Sequence, residues 1–144
     1  MIFKEKPHHR ADTFNVVACY LEHEGKFIFL RRHPDKSHGG KWCLPAGKVN
    51  INERIVDAVL REAKEETGIT IIPSELETFP SFWVESEGDV NFKYHSFLFK
   101  LPNLPSVTLS DNEHLNYVWA TPTESLELDL IHDLGDFNRL FFKL

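Results

Sequence analysis

Only two cysteines occur in the 144 residues, and there is a single methionine. Cys19 and Cys43 form no Cys-x-x-Cys pair and are too few for a disulfide framework, so two reduced thiols are expected. No apolar run approaches the roughly 18 residues of a membrane span. The start, Met1-Ile2-Phe3-Lys4-Glu5-Lys6-Pro7, lacks the apolar block of a secretory signal. An excess of positive charge is also missing: 16 Lys and Arg stand against 22 Asp and Glu, a formal net charge of −6. Such a balance argues against sequence-blind binding to a nucleic-acid polymer. Internal repeats, low-complexity tracts and linkers are absent. A cytoplasmic protein with no membrane partner is the expectation.

What is present suits a folded core. Hydrophobic residues make up 42% of the chain and charged residues 26%, near the globular average, which argues against disorder. The length fits a single domain over residues 1–144. Phe14–Leu21 and Lys26–Arg32 read as two strands of a hairpin around Glu24-Gly25. His33–Lys41 reads as a loop, and Trp42–Pro45 as a short segment after it. Arg54–Thr67 has neither Gly nor Pro and predicts a helix capped by Gly68. Strands are expected at Ile69–Ile72, Phe79–Glu85, Phe92–Leu101 and Leu115–Ala120, with a turn at Glu87-Gly88-Asp89. A helical turn at Pro122–Leu126 and a helix over Ile131–Lys143 complete the order, which suggests a mixed sheet packed between helices.

The helix carries the informative irregularity. At about 100° per residue, Ile55, Val56, Val59, Leu60 and Ala63 share one arc, and Arg54, Asp57, Arg61 and Lys64 lie opposite. Glu66 points inside the apolar arc, Glu62 to its edge, and Glu65 one step further round. A merely solvated acidic face fits badly, because Arg61 and Lys64 already occupy the solvated side. Carboxylates turned towards the protein body repel one another and lose hydration, and a cation removes both costs. An oxygen-rich set suits Mg2+ or Mn2+ rather than zinc.

The run from Gly47 through Glu53 to Arg61-Glu62-Ala63-Lys64-Glu65-Glu66-Thr67-Gly68-Ile69 resembles the Nudix box, Gly-x5-Glu-x7-Arg-Glu-U-x-Glu-Glu-x-Gly-U, with U a bulky aliphatic residue. Every fixed position matches across 47–69, and Ala63 is small for U. The lead-in Trp42–Val49 is similar to the family's, with Ala46 where Gly is common. The resemblance reaches from about Phe14 to Trp119. It implies the Nudix fold, an α/β/α sandwich with a mixed central sheet and a strand–loop–helix box. It also implies Mg2+-dependent (or Mn2+-dependent) hydrolysis of a pyrophosphate bond in a nucleoside diphosphate linked to some group X. By the same resemblance Glu62, Glu65 and Glu66 would bind metal, with the Gly47 carbonyl as a further ligand. Arg61 and Glu53 would tie loop to helix, and Gly68 would close the helix. Family members differ in which carboxylate serves as base, in the box or on a distant loop.

Other positions hold two readings each. Glu113 resembles an extra acidic metal ligand, or base, of MutT-like members, or is an exposed loop acid beside Asp111. Arg32 resembles a phosphate-contacting Arg, or pairs with an acid at the surface. Lys93 and His95 are candidates for the same cleft. Trp42 and Phe14 are large enough to stack on a base, although aromatics near strands are usually core. His8, His9, His33 and His38 show no metal-ligand spacing. The partner expected is a small nucleoside diphosphate derivative, with a canonical or modified (d)NTP as first choice because of Arg32 and Glu113. The protein is expected as monomer or homodimer. The competing readings are a nucleotide sensor that keeps the fold without cleaving, and a structural metal site.

Overall fold

The computed structural model describes residues 2–5, 14–85 and 91–144. The strands are β1 (Ile2–Phe3), β2 (Phe14–His23), β3 (Lys26–Arg32), β4 (Trp42–Cys43), β5 (Ala46–Lys48), β6 (Glu77–Thr78), β7 (Phe82–Glu85), β8 (Asn91–Lys100) and β9 (His114–Ala120). The helices are α1 (Ile55–Thr67), α2 (Pro122–Ser125) and α3 (Leu134–Phe142). The main sheet runs β1-β7-β8-β2-β3-β4, with β5 added to β2, β6 to β8 and β9 to β3. It is mixed: β2 pairs parallel with β8, and antiparallel with β3 and β5.

Strand β2 is buried on both faces, which explains its continuous apolar run. Val17, Cys19 and Leu21 pack with Ala58, Val59 and Ala63 of α1. Ala18 and Tyr20 pack on the other side with Leu134, Phe141 and Phe142. Two helices thus cover opposite faces of one sheet. The Tyr20 hydroxyl donates to Asn138 Oδ1 at 2.5 Å, and Asn138 Nδ2 donates to Ser125 Oγ at 3.0 Å. These buried bonds seat α3 on the sheet and against α2.

The hairpin, the His33–Lys41 loop and α1 stand where the sequence puts them. Arg54 flanks α1 as its N-cap, and Gly68 ends it at φ +76°, its N–H donating to Lys64 O at 2.9 Å. That left-handed position is one that glycine adopts without strain. Several expectations need correction. Ile69–Ile72 forms no strand: Ile69 and Ile71 are buried while Ile72 is 45% exposed, so the alternation reports burial without a ladder partner. The expected strand Phe79–Glu85 is shortened to β7, Phe82–Glu85, starting after Pro80, which cannot donate to a ladder, and a separate short strand, β6, precedes it. The last helix begins at Leu134 instead of Ile131, after Asp133 at φ +68°. Val56, placed on the apolar arc, is 40% exposed near the start of α1, while Ala58 and Thr67 are buried instead. His8, His9 and the expected turn at Glu87-Gly88-Asp89 lie outside the described residues. Both cysteines are buried and unbridged.

Candidate active site

The site is built where the end of α1 meets β5, β4 and the start of β9. Strand β5 is pinned to β2, and α1 packs against both. Glu66 is only 3% exposed. Its Oε1 accepts the backbone N–H of Ala46 at 2.8 Å, which fixes the side chain against the lead-in strand. Burial raises its pKa well above the carboxylate range, more strongly than the Ala46 N–H lowers it; Glu62 and Glu113 push it the same way as burial. Glu62 is likewise raised, chiefly by burial and against the pull of Arg61. Its carboxylate lies over the Cα of Gly47, where any Cβ would overlap it. A side chain at this position would have to push the Glu62 carboxylate away from its place beside Arg61.

Arg61 organises the acidic residues around it. Its Nε donates to Glu53 Oε2 at 2.8 Å and its Nη2 to Glu53 Oε1 at 2.9 Å. Nη1 reaches Glu62 Oε1 at 2.7 Å and Glu65 Oε2 at 3.3 Å, and Nη2 also donates to the Lys48 carbonyl at 3.0 Å. Glu53 in turn accepts the Asn50 N–H at 2.9 Å, closing the loop before the helix. The hydrogen bond from Arg61, with that from Asn50, holds the Glu53 carboxyl down to about 2. Glu65 is 58% exposed at its side chain and faces Arg61 rather than Glu66.

Glu113 is exposed, in the turn before β9, and comes together with Glu66 and His114: one ligand atom of each lies within 4.8 Å of the others. His114 is buried, and its Nε2 is 3.6 Å from Glu66 Oε2. Burial lowers its pKa to about 4, with the nearby Arg32 charge acting in the same direction. Arg32 ends β3, donates from Nε to Ser37 O at 2.7 Å, and lines a cavity of about 150 Å3 with Glu66. The apolar side of that cavity carries Val84, Phe92, Tyr94 and Phe137.

This donor set fits a divalent cation. The groups are mainly carboxylate oxygens, Glu66 and Glu62 are held partly or wholly out of water, and the glycine cradle leaves room for close approach at the Gly47 backbone. Ions such as Mg2+ and Mn2+ take oxygen ligands of this kind. The cluster of Glu66, Glu113 and His114 could hold such an ion.

Lys93 and His95 are not brought to the cavity. The neighbouring Tyr94 lines it, and strand alternation turns the two away. Lys93 Nζ lies 5.6 Å from the Trp83 ring centroid, and His95 bonds Ser81 and Asn15. Phe14 stacks on Phe92, with Lys48 Nζ 4.1 Å from the centre of the Phe14 ring, and Trp42 packs into the core on the α3 side. His33 interacts with neighbouring Asp35. His114 is the residue the sequence reading passed over. Starting the last strand at Leu115 left it in a loop; starting it one residue earlier makes His114 the buried first position of β9.

A family model of the NUDIX domain matches residues 10–141. The CTP pyrophosphohydrolase of Escherichia coli strain K12 is 31% identical over 115 residues, 80% of this chain and 81% of that protein. An uncharacterized Nudix hydrolase of Bacillus subtilis strain 168, YvcI, is 27% identical over 125 residues, 87% of this chain and 69% of its own length. The crystal structure of a MutT protein from Methanosarcina mazei Go1 superposes with a TM-score of 0.77 at 30% identity, covering 91% of this chain and 94% of that one. The chain belongs to the NUDIX domain family and has the Nudix fold, and it is an enzyme of the pyrophosphohydrolase class. Nudix hydrolases generally use divalent metals. Among fold neighbours, the NUDIX domain of NrtR from Shewanella oneidensis is complexed with ADP ribose. No helix among the described residues is long and apolar enough to cross a membrane.

Proposed function

We propose that the protein hydrolyses a pyrophosphate bond in a nucleoside diphosphate linked to X, with a canonical or modified (d)NTP as substrate and Mg2+ or Mn2+ as cofactor. The observation that carries this reading is the buried Glu66 carboxylate, fixed by the Ala46 N–H and opening with Arg32 onto one partly apolar cavity. The 31% identity to a CTP pyrophosphohydrolase supports a nucleoside triphosphate substrate.

Glu62, Glu65, Glu66 and Glu113, with the Gly47 carbonyl, would hold the metal. A divalent ion there would offset the polyphosphate charge and make water more acidic. Among the chain's own groups, Glu65, Glu66 or Glu113 takes the proton of the attacking water, and Glu113 is the one free of the Arg61 network and exposed. Arg32 binds phosphate oxygens. The aromatic wall of Phe92, Tyr94 and Phe137 holds the base and keeps water from it. Glu53, Arg61 and Gly68 keep loop and helix in register. Residues 1–144 act as one domain in this reading. Its partner is the small molecule, without nucleic-acid polymer or membrane, and the protein works in the cytoplasm as monomer or homodimer.

The test is release of phosphate or pyrophosphate across a panel of nucleotides, after dialysis against EDTA and after Mg2+ or Mn2+ is restored. Turnover of at least one (d)NTP that depends on the added metal is expected. Full turnover in excess EDTA, or turnover only of substrates lacking a nucleoside, would overturn the reading.

A further inference from the structure

His114 is given no role in the reaction proposed above. It opens β9, and its side chain has no exposed surface. Its Nε2 lies 3.6 Å from Glu66 Oε2 and 3.7 Å from Cys43 Sγ. A nitrogen–oxygen hydrogen bond spans about 2.7–3.2 Å, so the first contact is too long to be one. Cys43 Sγ also lies 3.5 Å from the Leu30 carbonyl, so its one thiol hydrogen is shared between two long contacts and binds Nε2 only weakly. Nδ1 has no hydrogen-bond partner among the described residues. Neither nitrogen is engaged strongly enough to set the tautomer. A buried polar group in that condition is costly and calls for an explanation.

For Nε2 the surroundings supply one. Nε2 faces the Glu66 carboxylate, and one ligand atom from each of Glu66, Glu113 and His114 falls within 4.8 Å of the others. Two ligand atoms each ~2.1 Å from a shared ion lie about 3.0 Å apart at right angles and about 4.2 Å apart in line. The 3.6 Å between Nε2 and Oε2 falls within that interval. The two carboxylates outnumber the single Arg32 charge nearby, so the balance at this point favours a cation over an anion. A cation would engage both acids and the lone pair together.

We propose that His114 Nε2 is a nitrogen ligand to the divalent ion, completing with Glu66 and Glu113 a mixed nitrogen–oxygen site that favours Mn2+ over Mg2+. The proposal rests on the metal-dependent reading of the site and adds to it a donor outside the box carboxylates. Imidazole suits transition ions, whereas Mg2+ keeps oxygen ligands and water.

The full chain loaded with one equivalent of Mn2+ and observed by pulsed electron paramagnetic resonance tests this. Modulation from a coupled 14N nucleus is expected, changing to a 15N pattern when the protein carries 15N-histidine. It should vanish in His114→Gln. A competition titration should show His114→Gln losing at least ~10-fold in Mn2+ affinity and under threefold in Mg2+ affinity. Absence of nitrogen coupling in the wild type, its survival in His114→Gln, or equal effects on both ions would overturn the proposal. If the Gln variant fails to fold, His114→Asn and the labelled wild-type spectrum decide. Nucleotide turnover without nitrogen coupling sinks this proposal alone. Nitrogen coupling without any metal-dependent turnover sinks the hydrolytic reading and leaves this one standing.

Discussion

The Arg61 guanidinium grips the Glu53 carboxylate with two parallel hydrogen bonds, 2.8 and 2.9 Å long, across eight residues of sequence. Planar two-point pairing of this kind is specific to arginine, because lysine offers only a point charge. It locks the loop after β5 to α1 and so sets where Gly47 and Glu62 meet.

Because Glu53 is held down to about 2 when folded, the pair stabilises the protein fully above the ordinary carboxylate range. That contribution is lost as pH falls through about 2. Melting temperatures measured from pH 6 to pH 2 should therefore show wild type and Glu53→Gln converging as the solution becomes more acidic. Parallel curves would show that the pair contributes nothing to folding.

Gly47→Ala should displace a metal-site carboxylate while leaving the fold in place. The new Cβ would overlap the Glu62 carboxylate, and both neighbours are held, one by β2 pairing and one by Arg61. The expected outcome is a kcat at least ~10-fold lower, about 1.4 kcal/mol in the barrier, with the far-ultraviolet circular dichroism spectrum retained. Steady-state kinetics on the purified variant checks it, and wild-type kinetics would show that Glu62 moves aside freely.

Glu66→Gln keeps the side-chain shape and removes the charge. kcat should fall at least ~10²-fold, a loss of at least ~2.7 kcal/mol in transition-state stabilisation. Thermal stability in EDTA should hold or rise, since a buried charge has been neutralised. An effect on kcat below tenfold at saturating metal would reduce Glu66 to a helix residue.

Arg32→Gln separates phosphate binding from a surface role. KM for a nucleoside triphosphate should rise about tenfold with kcat within about threefold, the pattern of lost ground-state binding. The variant also loses its bond to the Ser37 carbonyl, so melting temperature is measured alongside. An unchanged KM would return Arg32 to the surface and weaken the case for a triphosphate.

Much of this was legible in the sequence because the decisive contacts are local. The Arg61–Glu53 pair, the Gly68 cap and the inward turn of Glu66 lie within one strand–loop–helix stretch, where spacing alone dictates direction. What stayed hidden depends on contacts far apart in the chain. His114 meets Cys43 across 71 residues, and no periodicity reports that. Ile69 and Ile71 alternate like strand residues because they are buried, while pairing depends on which edge is near. Lys93 and His95 looked available for the cleft, yet the strand register assigned them to the other face.

Strand β2 pairs in parallel with β8 through nine residue pairs, from Phe14 with Phe92 to Glu22 with Lys100. Closing that pairing brings together segments separated by most of the chain, an entropic cost met before the contacts repay it. Helix α1 and its acidic residues lie inside the closed segment. On a ribosome the box is therefore synthesised well before the strand that completes its platform. A nascent chain ending short of residue 91 carries every residue of the box but lacks β8 and β9, and with them Glu113 and the cavity wall of Phe92 and Tyr94, so full catalytic geometry arrives late in folding.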